Sequence, residues 1–144
     1  MVSLLQKMGY GGEVTDSAIV TPYTNDKGID GIIKEDVLGF GTICIQAKKY
    51  SLDNPVGSDA VQRFVGALAQ ARSSKGVLIT TSSFTSSAIR FVQDVSSNTK
   101  IVLIDGKKLA NYIYDYSLGM QTERTLEIKK LDGDFWDNLQ DEII

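Results

Sequence analysis

The stretch from Asp26 to Tyr50 constrains this chain more than any other. It reads as two strands joined by a turn, the first opening with Asp30 and the second ending in Gln46-Ala47-Lys48. Strand side chains alternate between faces, so Gln46 and Lys48 point one way while Ile43, Ile45 and Ala47 point the other, into an apolar layer. If the strand Asp30-Gly31-Ile32-Ile33 pairs with them as a hairpin, Asp30 lies beside Gln46 and Lys48. A carboxylate, an amide and an ammonium then converge at one end of a sheet. Hard cations such as Mg²⁺ take oxygen ligands, commonly one or two carboxylates completed by water and phosphate. A lysine beside such an ion orients water or neutralises charge developing on a phosphoryl group. This combination is suited to phosphodiester hydrolysis.

What the chain lacks narrows the alternatives. It contains no histidine, which excludes Ser-His-Asp and Cys-His chemistry and histidine-bound zinc. Its one cysteine, Cys44, falls inside an apolar strand, so no disulfide framework exists and a reducing, cytoplasmic setting is expected. No apolar run is long enough to span a bilayer and no signal-peptide pattern opens the chain, so no membrane partner is expected. The net charge of −3 is unevenly spread. Five of the 18 acidic residues fall within 132–144, where there is no lysine or arginine; the other 13 face 15 bases, leaving residues 1–131 at +2. A mildly basic body with an acidic tail permits a nucleic-acid partner without demanding one.

With 144 residues the chain is expected to form one domain over 1–144, with 117–144 as a C-terminal extension. Val2–Met8 has helical spacing and stops at Gly9. Glu13–Val20 is a plausible strand, and Thr21–Gly28 is rich in turn residues. After the hairpin, Ser58–Arg72 carries Val61, Phe64, Val65, Leu68 and Ala69 at the spacing of an amphipathic helix. A strand is predicted over Gly76–Thr80, then a helix over Thr85–Val95 with Ser82 or Ser83 as N-cap. Ile101–Ile104 reads as a strand and Lys107–Tyr116 as a helix. Thr125–Leu131 alternates like an edge strand, and Asp134–Glu142 reads as a short acidic helix. Strands alternating with helices imply an α/β fold, a mixed sheet between two helical layers.

An ordered set of motifs carries a family resemblance: D-x-G-I-D-G-I-I over 26–33, Q-A-K-K-Y over 46–50, V-G at 56–57, Q-x-F-V-G-A-L over 62–68 and K-G-V-x-I-T-T-S-x-F over 75–84. From about Leu4 to Trp136 the chain resembles the catalytic domain of Mrr-type restriction endonucleases, a branch of the PD-(D/E)XK nucleases with glutamine at a usually acidic position. The resemblance implies a three-layer α/β/α, restriction-endonuclease-like fold. It implies Mg²⁺ or Mn²⁺ as cofactor and double-stranded DNA, typically methylated and foreign, as substrate. It assigns catalysis to Asp30, Gln46 and Lys48, and the metal to Asp30, Gln46 and the Ala47 carbonyl.

Supporting candidates are Glu13, Asp26 and Gln62, each of which also reads as ordinary turn or surface chemistry. Lys27, Lys49, Thr81, Ser82 and Ser83 are candidate DNA contacts; the hydroxyls serve equally as helix caps. Cutting both strands calls for two sites, hence a homodimer on DNA. The family's N-terminal glutamate has no counterpart here, and neither does its N-terminal winged-helix domain, which is expected in the full-length protein. A repair or junction-resolving nuclease, or a catalytically silent DNA-binding module, are the rival readings of the same fold.

Overall fold

The computed structural model describes residues 1–11, 18–20, 28–95 and 98–142. Its sheet contains β1 (Ala18–Val20), β2 (Gly31–Lys34), β3 (Thr42–Lys48), β4 (Lys75–Thr80) and β5 (Lys100–Ile104), in that spatial order. The first three strands are antiparallel and the last three parallel, so the sheet is mixed. The change of direction follows from the connections. Asp36 accepts from the N–H groups of Gly39 (2.7 Å) and Phe40 (3.4 Å), closing a tight turn between β2 and β3. Parallel neighbours need a crossover, supplied by α2 (Ser58–Gln70) between β3 and β4 and by α3 (Ser86–Asp94) between β4 and β5.

Alternation along the strands divides the core in two. Ile33, Ile43, Ile45, Val77, Ile79 and Ile104 pack against Leu4 and Leu5 of α1 (Val2–Lys7) and Leu109 of α4 (Gly106–Asp115). Cys44 and Leu78 face the opposite way, onto Val61, Phe64, Ala67 and Leu68 of α2 and Ala88 of α3. Each of these large side chains contributes about 1.5–3 kcal/mol when fully buried. Three layers result, α1 and α4, then the sheet, then α2 and α3, as expected from the pattern. Burial pushes the Cys44 thiol above its usual pKa, against a smaller opposing effect of a hydrogen bond with Ser73.

Three expectations need correction. Thr125–Leu131 is not a strand. Leu126, Ile128 and Leu131 are 77%, 87% and 75% exposed, so alternation there has no sheet edge or core to bury its apolar side. Neither Ser82 nor Ser83 caps α3. Thr85 does, its hydroxyl accepting from Ala88 N–H at 3.2 Å. Ser83 is instead held by a short parallel bridge in which Val56 N–H donates to its carbonyl, pairing Val56 with Phe84. In α2, Ala60 and Ala67 join the buried stripe while Val65 is only half-buried and Ala69 is exposed. The acidic C-terminal helix does form, as α5 (Gly133–Glu142), with Phe135 and Trp136 exposed and edge-on to each other.

Gly106 opens α4 against the end of β4. Its N–H donates to the Ser82 carbonyl at 2.7 Å, and a Cβ placed there would lie 2.3 Å from the Thr81 carbonyl oxygen. Gly106→Ala is therefore expected to cost about 1–3 kcal/mol through a forced backbone shift. Urea unfolding checks this; an unchanged midpoint would show that the segment yields freely.

Candidate active site

Of the predicted site residues, Asp30, Gln46 and Lys48 lie where β2 begins and β3 ends. Gln46 and Lys48 share the α2-facing side of β3 and line one cleft of about 350 Å³. Its other walls are Gly28 and, from α2, Ala60, Arg63, Gly66, Ala67 and Gln70. Concavities at the other end of the strands, around Lys75 and around Tyr112, contain none of the predicted residues. The cleft lining carries two cations, Lys48 and Arg63, and no carboxylate among the described residues.

Asp30 approaches differently from the simple hairpin expectation. Its N–H donates to the Ile45 carbonyl at 2.8 Å, although the register partner of Ile45 is Gly31. Two consecutive residues thus meet one residue of the partner strand, the pattern of a β-bulge, a device that re-aims a side chain. The offset puts Ile29 on the α2 side, in the same apolar cluster that Ile32 packs against. It also takes Asp30 out of the cleft lining. The Asp30 carboxylate is exposed and accepts from Ala47 N–H at 2.6 Å, so it touches the residue that joins Gln46 to Lys48. Backbone groups of alternate strand residues share an edge. Because Ile45 bonds toward β2, Ala47 presents its carbonyl to that same side.

Lys48 is anchored through its main chain. Its carbonyl accepts from the Thr80 hydroxyl (3.0 Å) and from Thr81 N–H (3.2 Å). The Thr81 hydroxyl in turn donates to the Tyr50 carbonyl (2.6 Å) and accepts from Tyr50 N–H (2.9 Å). Thr81 is thus a tie between β4 and the segment after β3. Ser82 is buried, with its hydroxyl on the Leu52 carbonyl and its N–H on Thr80, which removes it as a phosphate contact. Lys49 and Ser83 are exposed.

Gln62 is exposed and does not line the cleft. Successive helical residues are rotated by ~100°, and the stripe that reaches the cleft is Arg63, Gly66, Ala67 and Gln70. That i, i+3, i+4, i+7 spacing beside the apolar stripe was the available signal for Arg63 and Gln70. Glu13, Asp26 and Lys27 lie outside the described residues.

The family model Mrr_cat, described as a restriction endonuclease, matches residues 1–113. The chain belongs to this restriction endonuclease family. Over 137 residues it is 39% identical to the type IV methyl-directed restriction enzyme EcoKMrr of Escherichia coli (strain K12), covering 95% of this chain and 43% of that protein. It therefore spans less than half the length of this relative. Among solved structures, the DNA modification-dependent restriction endonuclease AspBHI superposes with a TM-score of 0.61 at 22% identity, over 82% of this chain and 30% of the other. The MspJI restriction endonuclease in complex with a 27-mer oligonucleotide gives 0.52 at 24% identity, over 78% and 25%. A protein of unknown function gives 0.60 at 14%, over 98% and 73%. At these identities the likeness is one of fold.

One atom in this Mrr-type domain is an acceptor open to a cation or a water. Gln46 Oε1 is buried and has no hydrogen-bond partner among the described residues. A buried acceptor left without a donor is costly, on the order of 1–3 kcal/mol, and an ion or water relieves it. No cluster of three or more Cys, Asp or Glu side chains forms among the described residues. The oxygens at hand are thus one carboxylate, one amide and one carbonyl. That set fits a hard cation completed by water or phosphate, and does not fit an all-protein cage.

Gly28 sets the position of the Gln46 amide. Its φ is +69°, and a Cβ there would lie 3.1 Å from Gln46 Nε2. Gly28→Ala is expected to cost about 1 kcal/mol in backbone strain and to push the amide aside. Urea unfolding checks the cost; an unchanged midpoint would show that the turn and the amide yield freely.

Proposed function

We propose that this chain is the catalytic domain of a type IV-like restriction endonuclease, hydrolysing phosphodiester bonds in methylated foreign DNA with Mg²⁺ or Mn²⁺. The observation that carries the reading is the buried Gln46 Oε1, unpartnered among the described residues, on the same strand face as Lys48 and one residue from the Ala47 N–H that Asp30 accepts from. Membership of the restriction endonuclease family supports it, as does the identity to a methyl-directed relative.

In this reading Asp30, Gln46 and the Ala47 carbonyl hold the cation. A bound divalent ion lowers the pKa of a coordinated water and offsets charge on the phosphoryl oxygens. Asp30 supplies the only side-chain charge of that set and is kept in place by Ala47 N–H. Gln46 contributes an oxygen without charge, so the protein's own hold on the ion is weak and improves when a DNA phosphate joins it. Lys48 lines the cleft, and its ammonium would orient the attacking water and stabilise the developing negative charge. Cleavage of both strands requires two such sites, hence two copies of the domain on one duplex.

The test is incubation of methylated and unmethylated plasmid with the chain and Mg²⁺ or Mn²⁺, with EDTA as control. Metal-dependent cutting that favours methylated plasmid is expected. Binding without cutting of either substrate would leave a silent DNA-binding module. Cutting that prefers branched or nicked DNA would point to repair or junction resolution.

A further inference from the structure

The cleft holds a second cation that the proposed chemistry leaves unused. Arg63 lies on the α2 wall of the cleft that Lys48 and Gln46 also line. Its guanidinium is paired with Asp59 one turn earlier, at 3.1 Å, and the two side chains are 69% and 72% exposed. Exposed pairs of this kind contribute little, so the guanidinium leaves readily for a better anion. The next turn of the same stripe is Gly66 and Ala67. A Cβ on Gly66 would meet nothing within 4 Å, so the wall beyond Arg63 is low and open. Such a surface admits a sugar–phosphate strand lying along it. Guanidinium matches phosphate oxygens two at a time, a geometry that lysine lacks.

We infer that Arg63 binds a backbone phosphate of the DNA strand beside the one being cut, and that Asp59 is its internal competitor. The inference rests on the nuclease reading above. The free chain then holds Arg63 folded back along α2, and DNA displaces Asp59. Asp59 also makes the free cleft less cationic, which limits capture of other polyanions.

The test is binding of unmodified duplex DNA in EDTA over a range of salt concentrations, which needs no turnover. Arg63→Gln should weaken binding several-fold at low salt and flatten the slope of log affinity against log salt by about one unit. Arg90→Gln, an exposed arginine on α3 outside the cleft lining, is the charge-matched control and should leave that slope nearly unchanged. Asp59→Asn should tighten binding in the Arg63 background and have no such effect once Arg63 is Gln. Equal effects of the two arginine changes, or tightening by Asp59→Asn that survives Arg63→Gln, would overturn the inference and leave the nuclease reading intact. A parent chain that neither binds nor cuts DNA would remove both.

Discussion

Replacing Lys48 by alanine is expected to lower the proposed DNA cleavage by about 10²–10³-fold, the scale lost when one preorganised donor to developing charge is removed. The reason is local and geometric. Lys48 sits at the end of β3, half-buried, with its carbonyl gripped by Thr80 Oγ1 and Thr81 N–H. The side chain therefore starts from a fixed root beside a cleft whose lining, among the described residues, holds no competing carboxylate. Little reorganisation is needed when charge appears on the phosphate. Lys48→Arg should not restore the rate, because a planar fork cannot take the place of a compact ammonium on this stem. The alanine variant should keep its far-ultraviolet circular dichroism and bind duplex in EDTA within a few-fold of the parent, since one phosphate contact among several is lost. Single-turnover cleavage measures the effect. A rate within about tenfold of the parent, only ~1.4 kcal/mol of barrier, would place the chemistry elsewhere.

The second large effect is on stability. Phe64→Ala is expected to cost about 3–5 kcal/mol, the range for deleting a buried aromatic ring. Phe64 is fully buried between α2 and the sheet. Its ring fills the space over Gly76 so closely that a Cβ on that glycine would lie 2.7 Å from Phe64 Cε1. Truncation leaves a void that Gly76, lacking a side chain, cannot help to fill. Native stabilities are about 5–15 kcal/mol, so this one change removes a large part of the total. Urea unfolding should show a lower midpoint at unchanged slope. The ring belongs to the buried stripe that seats α2 on the sheet, and that seating decides which residues face the cleft. Cleavage by the folded fraction should therefore fall as well. A midpoint shift worth less than about 1 kcal/mol would mean that the helix repacks over the gap.

These two residues also mark how far the sequence could be read. That Asp30 lies beside the strand end holding Gln46 and Lys48 was legible because the three residues bracket one hairpin, and strand alternation put Gln46 and Lys48 on one face. Helical spacing located α2, and the run of β-branched residues located β4. The apparent edge strand at Thr125–Leu131 misled because alternation reports only a pattern, and burial requires a surface to pair with. Ser82 misled in a similar way. A hydroxyl near a helix start resembles a cap or a phosphate contact until a distant carbonyl, here that of Leu52, claims it.

Sequence alone carried the family resemblance and the exclusions: no histidine, one cysteine, and a carboxylate, an amide and an ammonium bracketing one hairpin. Tertiary structure decided how those groups are presented. The bulge at Asp30 depends on the register against Ile45, a residue 15 positions away in the chain. The choice of Arg63 over Gln62 for the cleft depends on how the buried stripe of α2 seats against the sheet. Periodicity acts over neighbouring residues and is written into the chain, whereas register and helix rotation are settled only when separate elements compete for the same core.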